Sequence, residues 1–193
     1  MPHFPRLTIA GLRVRAANVP LRLPLVTSGG TVGMAPLVLI DLLTDEGVTG
    51  STYLFCYTPL ALQPVLRMLE NLLPLIRGDA VAPLDLDRKL QRQFRLLGAK
   101  GVVAMALAGI DMAAWDALAR AQGVPLVRLL GSAPRPIPAY NSNGLGLIGP
   151  ERAAVEALKL TAPGFQAIKV RLGYADAHAD AAVVRAEIGR AHV

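Results

Sequence analysis

The chain has 193 residues, of which 53% are hydrophobic, and it carries a formal net charge of +6 at pH 7. That length suits one large domain, or a small domain and part of another, and the mean hydropathy of +0.43 predicts a large buried core. Its lysines and arginines are scattered singly, which argues against a nucleic-acid partner and favours an acidic small-molecule substrate.

The sequence shows no pattern of a membrane span, a secretion signal or a disulfide framework. No uninterrupted apolar run reaches about 18 residues, and the most apolar stretch, 101–123, contains Asp111 and Asp116. The N-terminal residues lack the basic, apolar and small-residue order of a signal peptide. The single cysteine, Cys56, indicates a reducing compartment. We therefore expect a cytoplasmic protein with no membrane partner.

The first part of the chain has the pattern of strands joined by turns. Alternating apolar and polar residues from Leu12 to Arg15 predict one strand. Residues 36–44 predict a second, and the turn residues 45–47 lead into a third. The segment 24–36, with three glycines and two prolines, predicts a mobile loop between the first two strands.

Helices are predicted after the third strand. Thr58 is placed to cap the first of them, which is expected to stop at Pro74 and Gly78. Asp85 is predicted to cap the next helix. Residues 101–121 are apolar on several faces, so they predict a deeply packed helix.

After Gly131 the pattern changes to strand, helix, strand and helix, which predicts a parallel sheet with crossover helices. Residues 134–142 and 165–171 are the two predicted adjacent parallel strands. We therefore predict an α+β domain over 1–130 and the first βα units of an α/β barrel, similar to a TIM barrel, over 131–193. Eight such units take about 250 residues, so we expect an incomplete barrel and an apparently truncated chain.

Two cations, Lys169 and Arg171, lie two positions apart in the otherwise apolar run 165–174. Residues at i and i+2 of a strand share a face, and burial of an unpaired cation is costly. At the end of a barrel strand both could meet an anion in the barrel mouth. Alternatively, one of them extends to solvent or pairs with a carboxylate of a neighbouring strand. The spacing leaves both explanations open.

Several segments together resemble the enolase superfamily, and within it the mandelate racemase group: "TVGMAPLVLIDL", "YLFCYTP", "GIDMAAWDALA", "PAYNS" and "AIKVRLGY". The resemblance covers nearly the whole chain. It implies an α+β capping domain over a modified TIM barrel that binds one Mg²⁺. The implied chemistry is removal of the proton α to the carboxylate of a 2-hydroxy acid, leading to racemisation or dehydration. It also implies a small carboxylate substrate and a homo-oligomer for the full-length protein.

The resemblance assigns roles to three polar residues. Lys169 matches the first lysine of the family's K-x-K pattern, which contacts the substrate carboxylate and the metal-ligand region. Arg171 takes the place of the second lysine, normally a base for one enantiomer. Arginine stays protonated and is a poor base, which puts two-base racemisation in doubt and leaves dehydration possible. Ser142 matches a serine that hydrogen-bonds the substrate carboxylate; the alternative is a serine that caps a loop.

Four further residues are expected to line an apolar substrate pocket in the two loops that the resemblance places over the substrate. They are Leu25 and Val32 in the first loop, and Phe55 and Tyr57 in the second. The alternative for the two aromatics is ordinary core packing.

The resemblance places the Mg²⁺ carboxylates and the His-Asp base beyond Val193, so we expect no tight Mg²⁺ site within 1–193. Asp111 and Asp116 belong to the packed helix, and His3, His178 and His192 lack ligand spacing. An alternative to the enzyme is therefore a non-catalytic capping domain with a barrel stub, which binds or associates without turnover.

Overall fold

The computed structural model describes residues 6–191, which form two compact units. The first unit contains the described residues up to Val19 and then Ala35–Pro134. The second contains Pro20–Met34, here called the hairpin tip, and the described residues from Arg135 onward. The predicted domain limits, 1–130 and 131–193, differ from these units chiefly in assigning the hairpin tip to the first domain.

The first unit is built on a three-stranded sheet whose strands, in spatial order, are β1 (Ile9–Thr27), β2 (Gly30–Thr44) and β3 (Thr49–Phe55). β2 and β3 are antiparallel, with Ile40 paired to Thr52. The hydroxyl of Thr44 donates to the carbonyl of Val48 at 2.8 Å and accepts from its amide at 3.0 Å, which closes the turn between them. The predicted second and third strands and their turn are thus confirmed.

The loop predicted for 24–36 is wrong, because these residues form the end of a β-hairpin. β1 continues to Thr27, and β2 begins at Gly30 after a two-residue turn. The Thr27 hydroxyl donates to the Gly30 carbonyl at 2.8 Å and accepts from the Gly29 amide at 3.2 Å. Gly30 has φ +119°, a conformation that glycine adopts without strain. The glycines therefore shape a turn between two long strands.

Helices of the first unit follow β3: α1 (Leu62–Ile76), α2 (Pro83–Gln93), α3 (Val102–Ala121) and the short α4 (Leu126–Leu129). The predicted Thr58 cap is confirmed at the 3₁₀ turn that leads into α1, where its side chain accepts from the Leu60 amide. The predicted stop at Pro74 is wrong, because α1 continues through it to Ile76. Ile76 is fully buried, and its burial holds the last turn in place despite the missing proline N–H.

The predicted cap at Asp85 is also wrong. α2 begins at Pro83, because proline suits the first helical position and needs no hydrogen-bond acceptor there. The Asp85 amide already donates to the Ala82 carbonyl at 3.0 Å, and its carboxylate pairs with Arg88 at 2.9 Å. Asp85 therefore lies in the first turn, where its negative charge interacts favourably with the helix dipole.

α3 is the central helix of the first unit and packs against both β3 and α1. At Gly50 of β3 the helix backbone comes so close that a Cβ would meet the Ala113 carbonyl oxygen and the backbone of Ala117. One residue further, the Ser51 amide donates to the Asp116 carboxylate at 2.7 Å. Strand and helix are thus joined by close backbone approach and by a charge-assisted hydrogen bond.

α3 is also long and apolar enough, by length and composition alone, to cross a membrane. Half of its most apolar 18-residue window is buried inside the chain, and core helices of globular proteins meet the same criterion. Its fully buried residues include Ala106, Ile110, Ala113, Ala114 and Ala117, which belong to the core cluster of the first unit. We therefore describe α3 as the core helix of this unit, as predicted for 101–121.

The second unit contains the helices α5 (Pro150–Thr161) and α6 (Ala177–Ala191), which pack on each other. The predicted pairing of 134–142 with 165–171 has the right direction, since Asn141 and Ile168 form a parallel bridge. The predicted strand lengths are wrong: the pairing is a single bridge, and 134–140 is exposed. Among the described residues neither segment has a second neighbouring strand, and parallel strands form mainly in sheets covered on both faces. An α+β unit followed by the start of a β-α-β-α unit confirms the predicted fold class.

Candidate functional site

Ser142 and Lys169 lie side by side in the second unit. The Asn141 amide donates to the Ala167 carbonyl at 2.9 Å, and the Lys169 amide donates to the Asn141 carbonyl at 2.9 Å. Asn141 is bridged to Ile168 in parallel register, and Ser142 and Lys169 directly follow the two bridged residues, so their backbones lie close to each other. Both residues are exposed. The structure therefore brings together a hydroxyl and an ammonium group, which suit a carboxylate.

Arg171 lies two residues further and is half-buried. Its Nη1 donates to the carbonyl of Gly144 at 3.2 Å, and its backbone amide donates to the carbonyl of Leu145 at 3.1 Å. Within residues 6–191, no ion pair involves Lys169 or Arg171. The second unit thus leaves both charges available to an anion.

Asn141 is a residue of this region whose importance was not predicted. It is only 8% exposed; its Nδ2 donates to the Leu160 carbonyl at 3.0 Å, and its Oδ1 accepts from the Asn143 amide at 3.1 Å. The side chain therefore fixes the end of its strand to the end of α5. A single asparagine in a polar stretch gives no periodic signal, so only the fold shows this role.

The segment Asn143–Gly149, here called the glycine loop, follows the bridge. Gly144 and Leu145 both have positive φ, +58° and +47°, which is uncommon for leucine. Leu145 is nevertheless fully buried among the apolar residues of α5 and α6, so packing holds the loop in this shape. The Tyr174 hydroxyl accepts from the Gly149 amide at 2.8 Å and holds the other end of the loop.

The hairpin tip docks on the glycine loop within the second unit. The Leu147 amide donates to the Val26 carbonyl at 2.9 Å. At Gly146 a Cβ would lie 2.6 Å from the Val26 oxygen, so only glycine fits there. Leu25 and Val32, the two predicted pocket residues of the tip, are each half-buried. The sequence signal for this contact is the repeated glycine in "NGLGLIG".

Phe55 and Tyr57 belong to the first unit, whereas the other predicted site residues belong to the second unit. Their rings are in edge-to-face contact, with centroids 4.8 Å apart. Tyr57 is 78% exposed and has φ +59°, so it is not an ordinary core residue. Phe55 is half-buried beneath it. Strained backbone clusters at active sites and ligand-binding positions, which agrees with the predicted role of Tyr57.

A groove of about 790 Å³ in the second unit lies between the hairpin tip and α5. Its apolar lining comes from Leu23, Val26 and Val155, and its rim carries charges of both signs. Neither Ser142 nor Lys169 is among its lining residues. The groove is therefore separate from the candidate carboxylate site.

The part of the chain that the structure describes does not fit a Mg²⁺ site. No group of three or more His, Cys, Asp or Glu side chains lies together within it. Within the second unit, the Asp180 carboxylate already accepts hydrogen bonds from the amides of Gly173 and Tyr174. His3 and His192 lie outside the described residues.

We predict that the 193-residue chain has no tight Mg²⁺ site, because no three potential ligand side chains lie together among the described residues. Titration calorimetry of the purified chain with MgCl₂ should give only the heat of dilution, with CaCl₂ as a parallel titration. A single stoichiometric site of micromolar affinity would contradict this prediction.

Comparison with known proteins identifies the family. The family model described as "Mandelate racemase / muconate lactonizing enzyme, N-terminal domain" matches residues 9–131. An enolase from the alpha proteobacterium bal199, solved with bound Mg, is 36% identical with a TM-score of 0.93 over 97% of this chain and 53% of that chain. An enolase from Bradyrhizobium, solved with magnesium and mandelic acid, is 41% identical with a TM-score of 0.87, covering 96% of this chain and 51% of that chain.

A curated enzyme is also similar. The D-mannonate dehydratase of Caulobacter sp. (strain K31) is 36% identical over 141 residues, which is 70% of this chain and 33% of that protein. The chain thus spans about half the length of the two solved structures and one third of the dehydratase. These matches confirm the resemblance derived from the sequence motifs. The chain therefore belongs to the mandelate racemase / muconate lactonizing enzyme family of the enolase superfamily and corresponds to its N-terminal portion.

Proposed function

We propose that this chain supplies the carboxylate-binding side of an enzyme that removes the proton α to the carboxylate of a 2-hydroxy acid. The outcome is racemisation or dehydration. The observation that carries the proposal is the parallel bridge between Asn141 and Ile168, which places Ser142 and Lys169 next to it on neighbouring segments. Both side chains are exposed, and no described carboxylate pairs with the lysine.

In this proposal Lys169 and Ser142 bind the substrate carboxylate, the lysine by charge and the serine by its hydroxyl donor. Arg171 acts as a fixed positive charge. One of its five N–H groups is used on Gly144, which leaves others to stabilise the negative charge that develops as the proton leaves. Its guanidinium stays protonated, so it does not accept that proton.

The solved relatives support the choice of substrate and cofactor. The Bradyrhizobium structure contains mandelic acid, a 2-hydroxy acid, together with magnesium. We propose Mg²⁺ as the cofactor of the full-length enzyme, held by residues outside those described, where it would stabilise the enolate charge. We also propose a cytoplasmic homo-oligomer that binds neither nucleic acid nor membrane. Leu25, Val32, Phe55 and Tyr57 are proposed to contact the apolar part of the substrate.

The test is hydrogen–deuterium exchange at the α-carbon of each enantiomer of mandelate in D₂O, using a full-length enzyme that contains this sequence. We expect exchange for one enantiomer only, because one of the two bases of a racemase is replaced by Arg171. Lys169→Met should lower the exchange rate about 100-fold or more, since it removes a charge that binds the developing anion.

The control is Lys159→Met, which removes an exposed lysine of α5 that no site role involves. It should retain the rate of the unmodified enzyme. Equal exchange of both enantiomers would contradict the proposed role of Arg171. Full activity of Lys169→Met, or no exchange with several 2-hydroxy acids, would contradict the proposed function itself.

A second candidate concerns the 193-residue chain alone. The absence of a metal-ligand group within the described residues favours a chain that binds a carboxylate or associates with another chain without turnover. Exchange assays of the 193-residue chain alone, with added Mg²⁺, distinguish a catalytic chain from one that only binds. Any exchange above the solvent rate would exclude this candidate.

A further inference from the structure

We infer that Arg171 is a positioning residue that holds the glycine loop in the shape on which the hairpin tip docks. The inference goes beyond the proposed function, because it concerns backbone contacts of this chain and holds for any reaction that the enzyme performs.

The first step concerns the hydrogen bonds that Arg171 makes to the glycine loop. Its side chain and its own backbone amide bind two consecutive carbonyls, those of Gly144 and Leu145. These are the two residues of the loop that have left-handed backbone next to one another. Such a conformation is costly for leucine and persists only where the surroundings hold it. Arg171 supplies two of the contacts that do so.

The second step is the effect of that shape on the next two residues. The turn at Gly144 and Leu145 presents the backbone of Gly146 and Leu147 to the hairpin tip. The Leu147 amide then donates to the Val26 carbonyl at 2.9 Å, and Gly146 lies flush against the same residue. A shift of the loop by an ångström would break this hydrogen bond, because neither partner has a flexible side chain in the contact.

The third step is the choice of arginine over lysine at position 171. A planar guanidinium donates to a carbonyl in a fixed direction and keeps further N–H groups for an anion. A lysine ammonium is a point charge on a flexible stem and holds a carbonyl less rigidly. The arginine that is a poor base is therefore well suited to hold a loop while keeping its charge.

The test measures amide hydrogen exchange by NMR on the 193-residue chain. Arg171→Met should raise the exchange rate of the Leu147 amide about five- to tenfold, because the Gly144 carbonyl loses its donor and the loop opens more often. The amides of Ala157 and Leu160 in α5 should stay within about twofold of their original rates, since α5 keeps its own hydrogen bonds. Arg171→Lys should recover part of the protection, because it restores one donor.

Gly146→Ala tests the docking without touching Arg171. Its Cβ would collide with Val26, so the Leu147 amide should exchange faster even with Arg171 in place. Two matched controls should leave that rate unchanged. Arg185→Met removes an exposed arginine of α6, and Gly33→Ala adds a methyl group in the hairpin tip where nothing lies within 4 Å.

Two outcomes would overturn the inference. One is an unchanged Leu147 exchange rate in Arg171→Met. The other is a rise at Leu147 that occurs only together with an equal rise in α5, which would give Arg171 a general stabilising role. Faster exchange at Leu147 alone, partly recovered by lysine, supports it.

Discussion

Gly50→Ala should destabilise the first unit by about 3 kcal/mol, which is the upper end of the usual range for overpacking a core. The added Cβ would meet the carbonyl oxygen of Ala113 and lie 2.7 Å from the amide nitrogen of Ala117. Both are backbone atoms of α3, so no side chain can rotate away. Relief requires the helix to move off β3, which also strains the hydrogen bond from Ser51 to Asp116.

The measurement is urea denaturation followed by the fluorescence of Trp115, the single tryptophan, which lies on α3. Gly11→Ala is the matched control, because it adds the same methyl group to a glycine of β1 with nothing within 4 Å. It should change the free energy of unfolding by less than about 0.5 kcal/mol. An unchanged urea midpoint for Gly50→Ala would mean that β3 and α3 are not in the described contact.

Glu187→Leu should stabilise the second unit at neutral pH by about 1–3 kcal/mol, the usual cost of a buried polar group without a partner. Glu187 lies on α6 and is only 7% exposed. Its Oε1 has no hydrogen-bond partner among the described residues, and burial raises the pKa of this carboxyl group. Val183, one turn earlier on the same face, is fully buried and shows that an apolar side chain suits these surroundings.

The pH dependence of stability follows from the raised pKa of Glu187. A raised folded-state pKa means that the folded chain holds the proton more tightly than the unfolded chain. The associated stabilisation is fully present below the ordinary value of 4.5 and is lost as the pH rises through the raised pKa. Glu187→Gln removes this titration. Its stability relative to the original chain should therefore increase from pH 4 to pH 7.

The measurement is urea denaturation of the original chain, Glu187→Leu and Glu187→Gln at pH 4, 5.5 and 7, followed by circular dichroism. Glu151→Gln is the control, because Glu151 is exposed in the first turn of α5, where a negative charge favours the helix. It should not stabilise the chain at any of these pH values. A Glu187→Gln variant that loses relative stability between pH 4 and pH 7 would contradict the prediction.

The sequence predicted elements whose signals are local. The apolar residues on several faces of 101–121 indicated a central helix, and "DEG" at 45–47 indicated the turn between β2 and β3. The segment 24–36 was misassigned because glycines and prolines are equally typical of a loop and of a hairpin end. The exposed stretch 134–140 was misassigned as a strand because it precedes a polar loop and a helix, an order that does not show whether its apolar residues are buried.

The candidate site was predictable only in part. Lys169 and Ser142 came from motifs, and the parallel bridge explains how they lie together. The contacts that hold the site in place join residues that are distant in sequence, as Val26 and Leu147 are. No periodicity or composition reports such a pair. The structural role of Asn141 was missed for the same reason, since its partner Leu160 lies 19 residues away.

The division of the chain has a consequence for how this family can be recombined. Because the hairpin tip, Pro20–Met34, belongs to the second unit, no single cut in the sequence separates the two units. A chimera joined near residue 134 would combine a hairpin tip from one parent with a glycine loop from the other. In this chain any side chain at position 146 would collide with the backbone of Val26, so the two segments have to match each other. Productive exchanges between relatives must therefore transfer residues 20–34 and 143–149 together.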